Sequence, residues 1–170
     1  MIKFLPNEEV KVKPIYLKHD IMVELNNNLL LFYTGMTHSA NEILKEQSRN
    51  TENDKHKFNA LVQMTDLVYD ARRALNNENL DEIGYILNTS WQLKRSLASK
   101  ISNAKIDKYY DIALDNGALG GKLLGAGNGG FLLFYCPKEK QAQLRSALDL
   151  IEMPFNFEDE GTKVIYNNRG

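Results

Sequence analysis

Gly117-Ala-Leu-Gly-Gly-Lys-Leu-Leu-Gly-Ala-Gly-Asn-Gly-Gly-Phe-Leu-Leu-Phe-Tyr-Cys136 is the stretch whose reading decides the fold, and seven of its twenty residues are glycine. Glycine brings no side chain to a core and loses the most backbone freedom on folding, so these residues must meet another need. Two are available: positive φ in tight turns, and close approach of main-chain N–H groups to another backbone or to an anion such as phosphate. Gly125-Ala-Gly-Asn-Gly-Gly130 satisfies GxGxxG literally, but a dinucleotide fingerprint needs a strand before the glycines and a helix after them. Here the order is reversed. Ile106, Tyr109, Tyr110, Ala113 and Leu114 have helical spacing and stop at Asn116-Gly117, a C-terminal cap, and the apolar run Phe131–Cys136 after the glycines has strand length. A Walker A loop is also excluded, since Leu follows Lys122 and no Gly lies five residues before it. The stretch reads as helix, short strand Lys122–Leu124, glycine loop at a hairpin tip, and buried strand.

Helices and strands can be placed outward from there. Toward the N-terminus, Leu29–Tyr33 is apolar on both faces, as a central strand is, and Thr34-Gly35 ends it. Ser39 with Glu42 has the form of a capping box, opening a helix with Ala40, Ile43 and Leu44 inward. Asn53-Asp54 introduces a longer helix whose stripe is Phe58, Leu61, Val62, Thr65, Val68, Tyr69 and Leu75. Asn79 with Glu82 repeats the capping box before Leu80, Ile83, Leu87, Trp91, Lys94 and Leu97, and the short connection makes these two helices an antiparallel pair. Ile2–Leu5 and Val10–Lys13 read as a strand pair, and Asp20 caps a short helix ending at Asn26-Asn-Asn28. After the hairpin, Pro137 begins a helix with Leu144, Ala147, Leu148 and Ile151 on one side, and Pro154–Phe157 and Lys163–Tyr166 read as two short strands. Strands at both ends with helices between argue for α+β.

Length and composition bound the class. A chain of 170 residues suits one domain with one core, and 43% hydrophobic and 25% charged residues are ordinary globular values. A net charge of -1 exerts no global pull toward nucleic acid or an anionic membrane. No apolar run approaches the roughly 20 residues of a membrane helix, and the first residues lack the apolar core and cleavage site of a signal peptide, so a cytoplasmic protein is expected. The lone Cys136 reads as a small core residue, and His19, His38 and His56 lack ligand spacing, so no protein-held metal is expected.

Four blocks in order, Leu30-Leu-Phe-Tyr-Thr-Gly35, Trp91-Gln-Leu-Lys-Arg-Ser-Leu97, Ile101-Ser-Asn103 and Gly120-Gly-Lys-Leu-Leu-Gly-Ala-Gly127, resemble the C-terminal half of the GHMP small-molecule kinases, and among them the heptose 7-phosphate kinases. The resemblance covers nearly the whole chain. It implies a ferredoxin-like α+β domain spanning 1–170, an antiparallel sheet with helices on one face. It also implies that the catalytic aspartate and the Pro-x-x-x-Gly-Leu-Gly-Ser-Ser nucleotide loop belong to an N-terminal half, since neither motif occurs here. ATP and Mg2+ would then serve the complete enzyme, with neither held tightly by this chain.

Each candidate residue has a bland reading beside the functional one. Two glycines suffice for a hairpin turn, and six between Gly120 and Gly130 exceed that need. By resemblance, Gly125, Ala126, Gly127, Asn128 and Gly129 lie beside the phosphate site. Asn128 stands where the family has glycine, and asparagine tolerates positive φ. Lys122 is either an exposed strand lysine or a cation near a transferred phosphate. Lys94 and Arg95 are either a solvated helix face or, by resemblance, the clamp on a sugar phosphate, for which a guanidinium is well shaped. Thr34 and Thr37 follow the central strand, though Thr37-His-Ser39 departs from the family's arginine-containing stretch. Asp66, Asp70, Asp81 and Asp107 look like helix surfaces or caps, so no catalytic residue is assigned. Two functions stay open: the C-terminal part of an ATP-dependent sugar-phosphate kinase, inactive alone and partnered by its N-terminal half, or a stand-alone binding or regulatory module that keeps the fold without catalysis. Self-association through an uncovered apolar surface fits either; nucleic acid and membrane partners fit neither.

Overall fold

The computed structural model describes residues 1–36, 40–158 and 161–166. In chain order it has strands β1 (Ile2–Phe4) and β2 (Val10–Val12), helix α1 (His19–Asn28), strand β3 (Leu29–Tyr33), helices α2 (Ala40–Asn53), α3 (Lys55–Asn76), α4 (Leu80–Leu97) and α5 (Ala104–Asp115), strands β4 (Gly120–Leu123) and β5 (Phe131–Tyr135), helix α6 (Gln141–Leu148) and strand β6 (Ile151–Glu152). The last four strands make a sheet in the order β4-β5-β3-β6, antiparallel throughout. Taken from β3 onward, the strands come first, second, third and fourth in sequence and stand second-third-first-fourth in the sheet, which is the ferredoxin-like order. β3 is central, as its apolar run predicts.

Leu30, Phe32, Leu123, Leu132 and Phe134 bury one face of this sheet under Trp91, Ile106 and Tyr110 from the helices. Tyr110 ties the layers together: its ring lies 5.6 Å from Phe134 and 5.9 Å from Trp91, and its hydroxyl bonds Asn88 on α4 and the main chain of Gly121 on β4. A smaller cluster of Leu25, Leu80 and Tyr135 closes the end of the sheet where α1 meets the start of α4. Cys136 is fully buried, and burial pushes its thiol up to about 11, so it is the inert core residue expected of it.

Helix ends follow the expected chemistry in part. Asp54 caps α3 through the His56 and Lys57 N–H groups, and Asn103 caps α5 through those of Lys105 and Ile106. At the far end of α5, Gly117 N–H donates to Leu114 and Ala118 N–H to Ala113, the paired bonds of a Schellman cap. Lys18, not Asp20, occupies the cap position of α1, and Asn79 caps α4 without a side-chain hydrogen bond. The Ser39 capping box lies outside the described residues.

Four further expectations are corrected. β4 begins at Gly120, so Gly120 and Gly121 are strand residues where the sequence suggests a loop. Pro137 precedes a single 3-10 turn, Lys138–Lys140, and α6 starts only at Gln141. Ile151 is in the edge strand β6 and 67% exposed, not on the apolar side of α6. Neither Pro154–Phe157 nor Lys163–Tyr166 forms a strand. The ladder ends at Met153, whose N–H reaches Leu31, and Pro154 has no N–H to continue it. Asn26 on α1 then takes over, accepting from Phe157 N–H at 3.0 Å.

The apolar stripe of α3 also divides. Ala60, Leu61, Met64 and Ala74 pack inward, whereas Phe58, Val62, Val68 and Tyr69 remain about half exposed on the open side. More apolar surface is bare on the β1–β2 hairpin, where Ile2, Phe4, Val10 and Val12 are 49 to 77% exposed. Side chains this open favour a covering partner. At high concentration the chain is expected to self-associate and to bind a hydrophobic dye. A monodisperse, dye-silent monomer in light scattering would contradict that reading of the surface.

Candidate functional site

The glycine loop joins β4 to β5 at the end of the sheet where β3 runs into Thr34. Leu124 N–H donates to the Phe131 carbonyl at 2.8 Å and closes the base of the hairpin. Beyond it the loop is pinned from two neighbouring segments. Asn128 N–H donates to Ile101 and Gly130 N–H to Met36, both at 2.8 Å, while Thr34 N–H and hydroxyl both donate to the Gly130 carbonyl. Thr34 is 1% exposed, so its hydroxyl is a latch for the loop. Gly127 shows why the loop needs glycine: at φ +134° an added Cβ would lie 2.7 Å from the Cα and carbonyl oxygen of Ile101. The close approach here is to protein backbone, one of the two needs that the sequence allows.

Asn128 adopts φ +60°, the left-handed conformation its type tolerates, and does more than survive the turn. Its Oδ1 accepts from Asn103 Nδ2 at 2.7 Å, while Asn103 Oδ1 caps α5. The loop is thereby fixed to the start of α5. Among the described residues, the N–H groups of Gly125, Ala126, Gly127 and Gly129 have no acceptor, which leaves a run of backbone donors at the hairpin tip.

Two lysines flank these donors. Lys94, in the last turn of α4, donates its ammonium to the carbonyls of Gly125 and Leu123, and Lys122 stands on β4. Burial, with the charge of Lys122 adding to it, lowers the Lys94 amine to about 8, and burial lowers Lys122 as well. No acid pairs with either among the described residues. An anion placed here would meet two partly dehydrated cations and unused N–H groups together.

A depressed lysine favours its neutral form in the fold. Ionised Lys94 therefore opposes folding below about pH 8, and the opposition is relieved as pH rises from there toward the ordinary 10.5. An NMR titration of the Lys94 side chain is expected to show a midpoint near 8. Lys122→Met should raise that midpoint; an unmoved midpoint would remove the charge of Lys122 as a cause.

Arg95 is turned elsewhere. Its guanidinium pairs with Asp107 on α5 at 3.0 Å and with Gln92, and Asp107 also accepts from Ser102 at 2.6 Å. The structure thus brings together Lys94, Lys122 and residues 125–129, keeps Thr34 as their support, and sets Arg95 at the α4–α5 seam. Thr37 lies outside the described residues. Asp66 and Asp70 lie on α3 and Asp81 in the first turn of α4; Asp70 pairs with Arg73, and Asp81 accepts from the Tyr135 hydroxyl. Sequence reasoning missed the anchoring carbonyls of Ile101 and Met36, since a main-chain acceptor carries no residue-type signal. Asn103 stood in the sequence only within the block Ile101-Ser-Asn103, and its cap on α5 and its bond to Asn128 appear only in the fold.

A helix, an edge strand bearing glycines and a lysine, and a pinned glycine tip in this order admit a family comparison. Residues 71–151 match the family model described as GHMP kinases C terminal. The chain carries a GHMP kinase C-terminal domain. Over 165 residues it is 30% identical to the D-glycero-alpha-D-manno-heptose 7-phosphate kinase of Campylobacter jejuni, covering 95% of this chain and 48% of that protein. It is 32% identical over 142 residues to the bifunctional fucokinase/GDP-fucose pyrophosphorylase of Arabidopsis thaliana, 82% of this chain and 13% of that protein. Mevalonate kinase of L. major, solved with R-mevalonate, shares the fold with a TM-score of 0.69 at 22% identity, covering 84% of this chain and 42% of that one. The GHMP kinase C-terminal domain thus spans less than half the length of each protein it matches here. No helix among its described residues is long and apolar enough to cross a membrane.

Proposed function

We propose that residues 1–170 form one domain, the C-terminal half of an ATP-dependent sugar kinase whose acceptor is a phosphorylated sugar of the heptose 7-phosphate kind. The observation that carries this reading is the pairing of Lys94 and Lys122 with unused N–H groups at a rigidly pinned glycine tip. Phosphoryl transfer asks a protein mainly for positioning and for stabilisation of charge on phosphate oxygens. Two dehydrated cations beside fixed N–H dipoles supply the second, and the ties to Thr34, Met36, Ile101 and Asn103 supply the first.

The residues present fit the anionic end of ATP but not its metal. Among the described residues no group of three or more His, Cys, Asp or Glu side chains could hold an ion. Mg2+ ligation, the adenine site and the catalytic base are therefore assigned to an N-terminal half, the domain's first partner. Arg95, still about a third exposed beside Asp107, is the group offered to the phosphate already on the sugar.

The test is kinetic, on the chain joined to an N-terminal GHMP half. Lys122→Ala should lower kcat by on the order of 100-fold, as loss of one preorganised charge-stabilising group does. Arg95→Ala should weaken the acceptor by on the order of 1.5 to 3 kcal/mol and leave ATP nearly unchanged. ATP weakened as strongly as the sugar phosphate would reject the assignment of Arg95.

A further inference from the structure

The β1–β2 hairpin sits on the molecule with the wrong face outward for an ordinary hairpin. A two-stranded ribbon against a helix normally packs its apolar face inward and leaves its polar face to water. Here Ile2, Phe4, Val10 and Val12 form the outward face, and the opposite face, with Lys3, Lys11 and Lys13, borders a cavity of about 210 Å³ whose far wall is Tyr69 and Arg72 of α3. Lys3 and Lys11 are direct cross-strand partners. Like charges in that position destabilise a ladder.

Little negative charge faces these four cations. Lys11 approaches Glu9 at 3.9 Å with both side chains about half exposed, and Asp70 on α3 is already taken by Arg73 at 2.6 Å. Among the described residues Lys3, Lys13 and Arg72 have no acidic partner. Lysines on a ribbon often only deter edge pairing, and Lys3, Lys11 and Lys13 are exposed as that role requires. All three nonetheless line one cavity with an arginine opposite.

We propose that this cleft is a second anion site, binding a small phosphate-bearing molecule of at least two negative charges through Lys3, Lys11, Lys13 and Arg72. The cavity is too small for a drug-sized ligand and suits a pyrophosphate or a single phosphorylated group. Arg72 offers a planar fork for phosphate oxygens, and Tyr69 an aromatic wall for the group that carries them. The site is separate from the glycine tip: in the antiparallel α3–α4 pair, Arg72 lies level with the start of α4, about 15 Å along that helix from Lys94. The inference does not depend on the kinase reading.

Pyrophosphate titrated into the 15N-labelled chain tests it. Amide shifts are expected at Lys3, Lys11, Tyr69 and Arg72, weakening steeply between 50 and 200 mM salt, and the double variant Lys11→Gln, Arg72→Gln should lower affinity there at least tenfold. Both positions are on the surface and the spectrum itself reports an intact fold; Lys3→Glu, on the other strand, should repeat the loss. Shifts confined to residues 125–129, or equal shifts with chloride at matched ionic strength, would overturn the proposal. So would tighter binding at these residues by a single-stranded oligonucleotide, which would mark an extended polyanion surface.

Discussion

Gly120→Val should destabilise the domain by about 3 kcal/mol or more, the upper end of what overpacking costs. A Cβ at Gly120 would lie 2.0 Å from the Gly84 carbonyl oxygen and 2.8 Å from both the backbone nitrogen and the Cβ of Asn88. All three belong to the frame of α4, so no rotamer change relieves the clash. The helix must draw away from β4. That movement would strain the Tyr110 hydroxyl, which bonds Asn88 on one element and Gly121 on the other, and would loosen the aromatic stack above Phe134. Gly125→Ala is the contrast: nothing lies within 4 Å of its Cβ, so its cost is confined to φ +79°, roughly 1 to 2 kcal/mol. Urea midpoints at constant slope separate the two. Equal midpoints for Gly120→Val and the parent chain would show that α4 and β4 do not depend on this contact.

That pair of glycines also shows what the sequence could and could not disclose. The excess of glycine was visible, and so was the reversed order of helix and strand that excludes a dinucleotide loop. Gly84 was not, because a single glycine inside a helix has no partner in sequence; the contact with Gly120 exists only once the chain is folded. Local chemistry read well where the determinant was local, as with Asp54 and Gly117 at helix ends and the five-residue apolar run of β3. It failed where a distant partner decides. Pro154–Phe157 alternates like a strand, but its backbone is claimed by Asn26 from α1. The stripe on α3 has one helical period, yet only the side toward α2 and α4 finds neighbours, leaving Phe58 and Val62 open.

At the site, the lysines were legible and their roles were not. Lys94 and Arg95 are adjacent in sequence, but on a helix adjacent residues diverge by about 100°. One therefore reaches the Gly125 carbonyl and the other Asp107. Position in the fold makes Lys94 the loop's cation and Arg95 the seam's.

The second large effect concerns turnover. The isolated chain should transfer no phosphoryl group, because it offers one wall of a cleft: N–H donors at residues 125, 126, 127 and 129, Lys94 and Lys122. On the proposed reading, a nucleotide cradle, metal ligands and a base come from the N-terminal half. Loss of positioning alone removes about 7 to 11 kcal/mol of barrier reduction, which puts turnover beyond an ordinary assay.

Phosphoryl transfer from ATP to heptose 7-phosphate, followed with Mg2+ and highly purified chain, with and without an added N-terminal GHMP half, tests this account most directly. The account predicts no turnover by the chain alone, and turnover sensitive to Lys122→Ala once the second half is present. Kinase-rate turnover by residues 1–170 alone, abolished by Lys122→Ala, would contradict it.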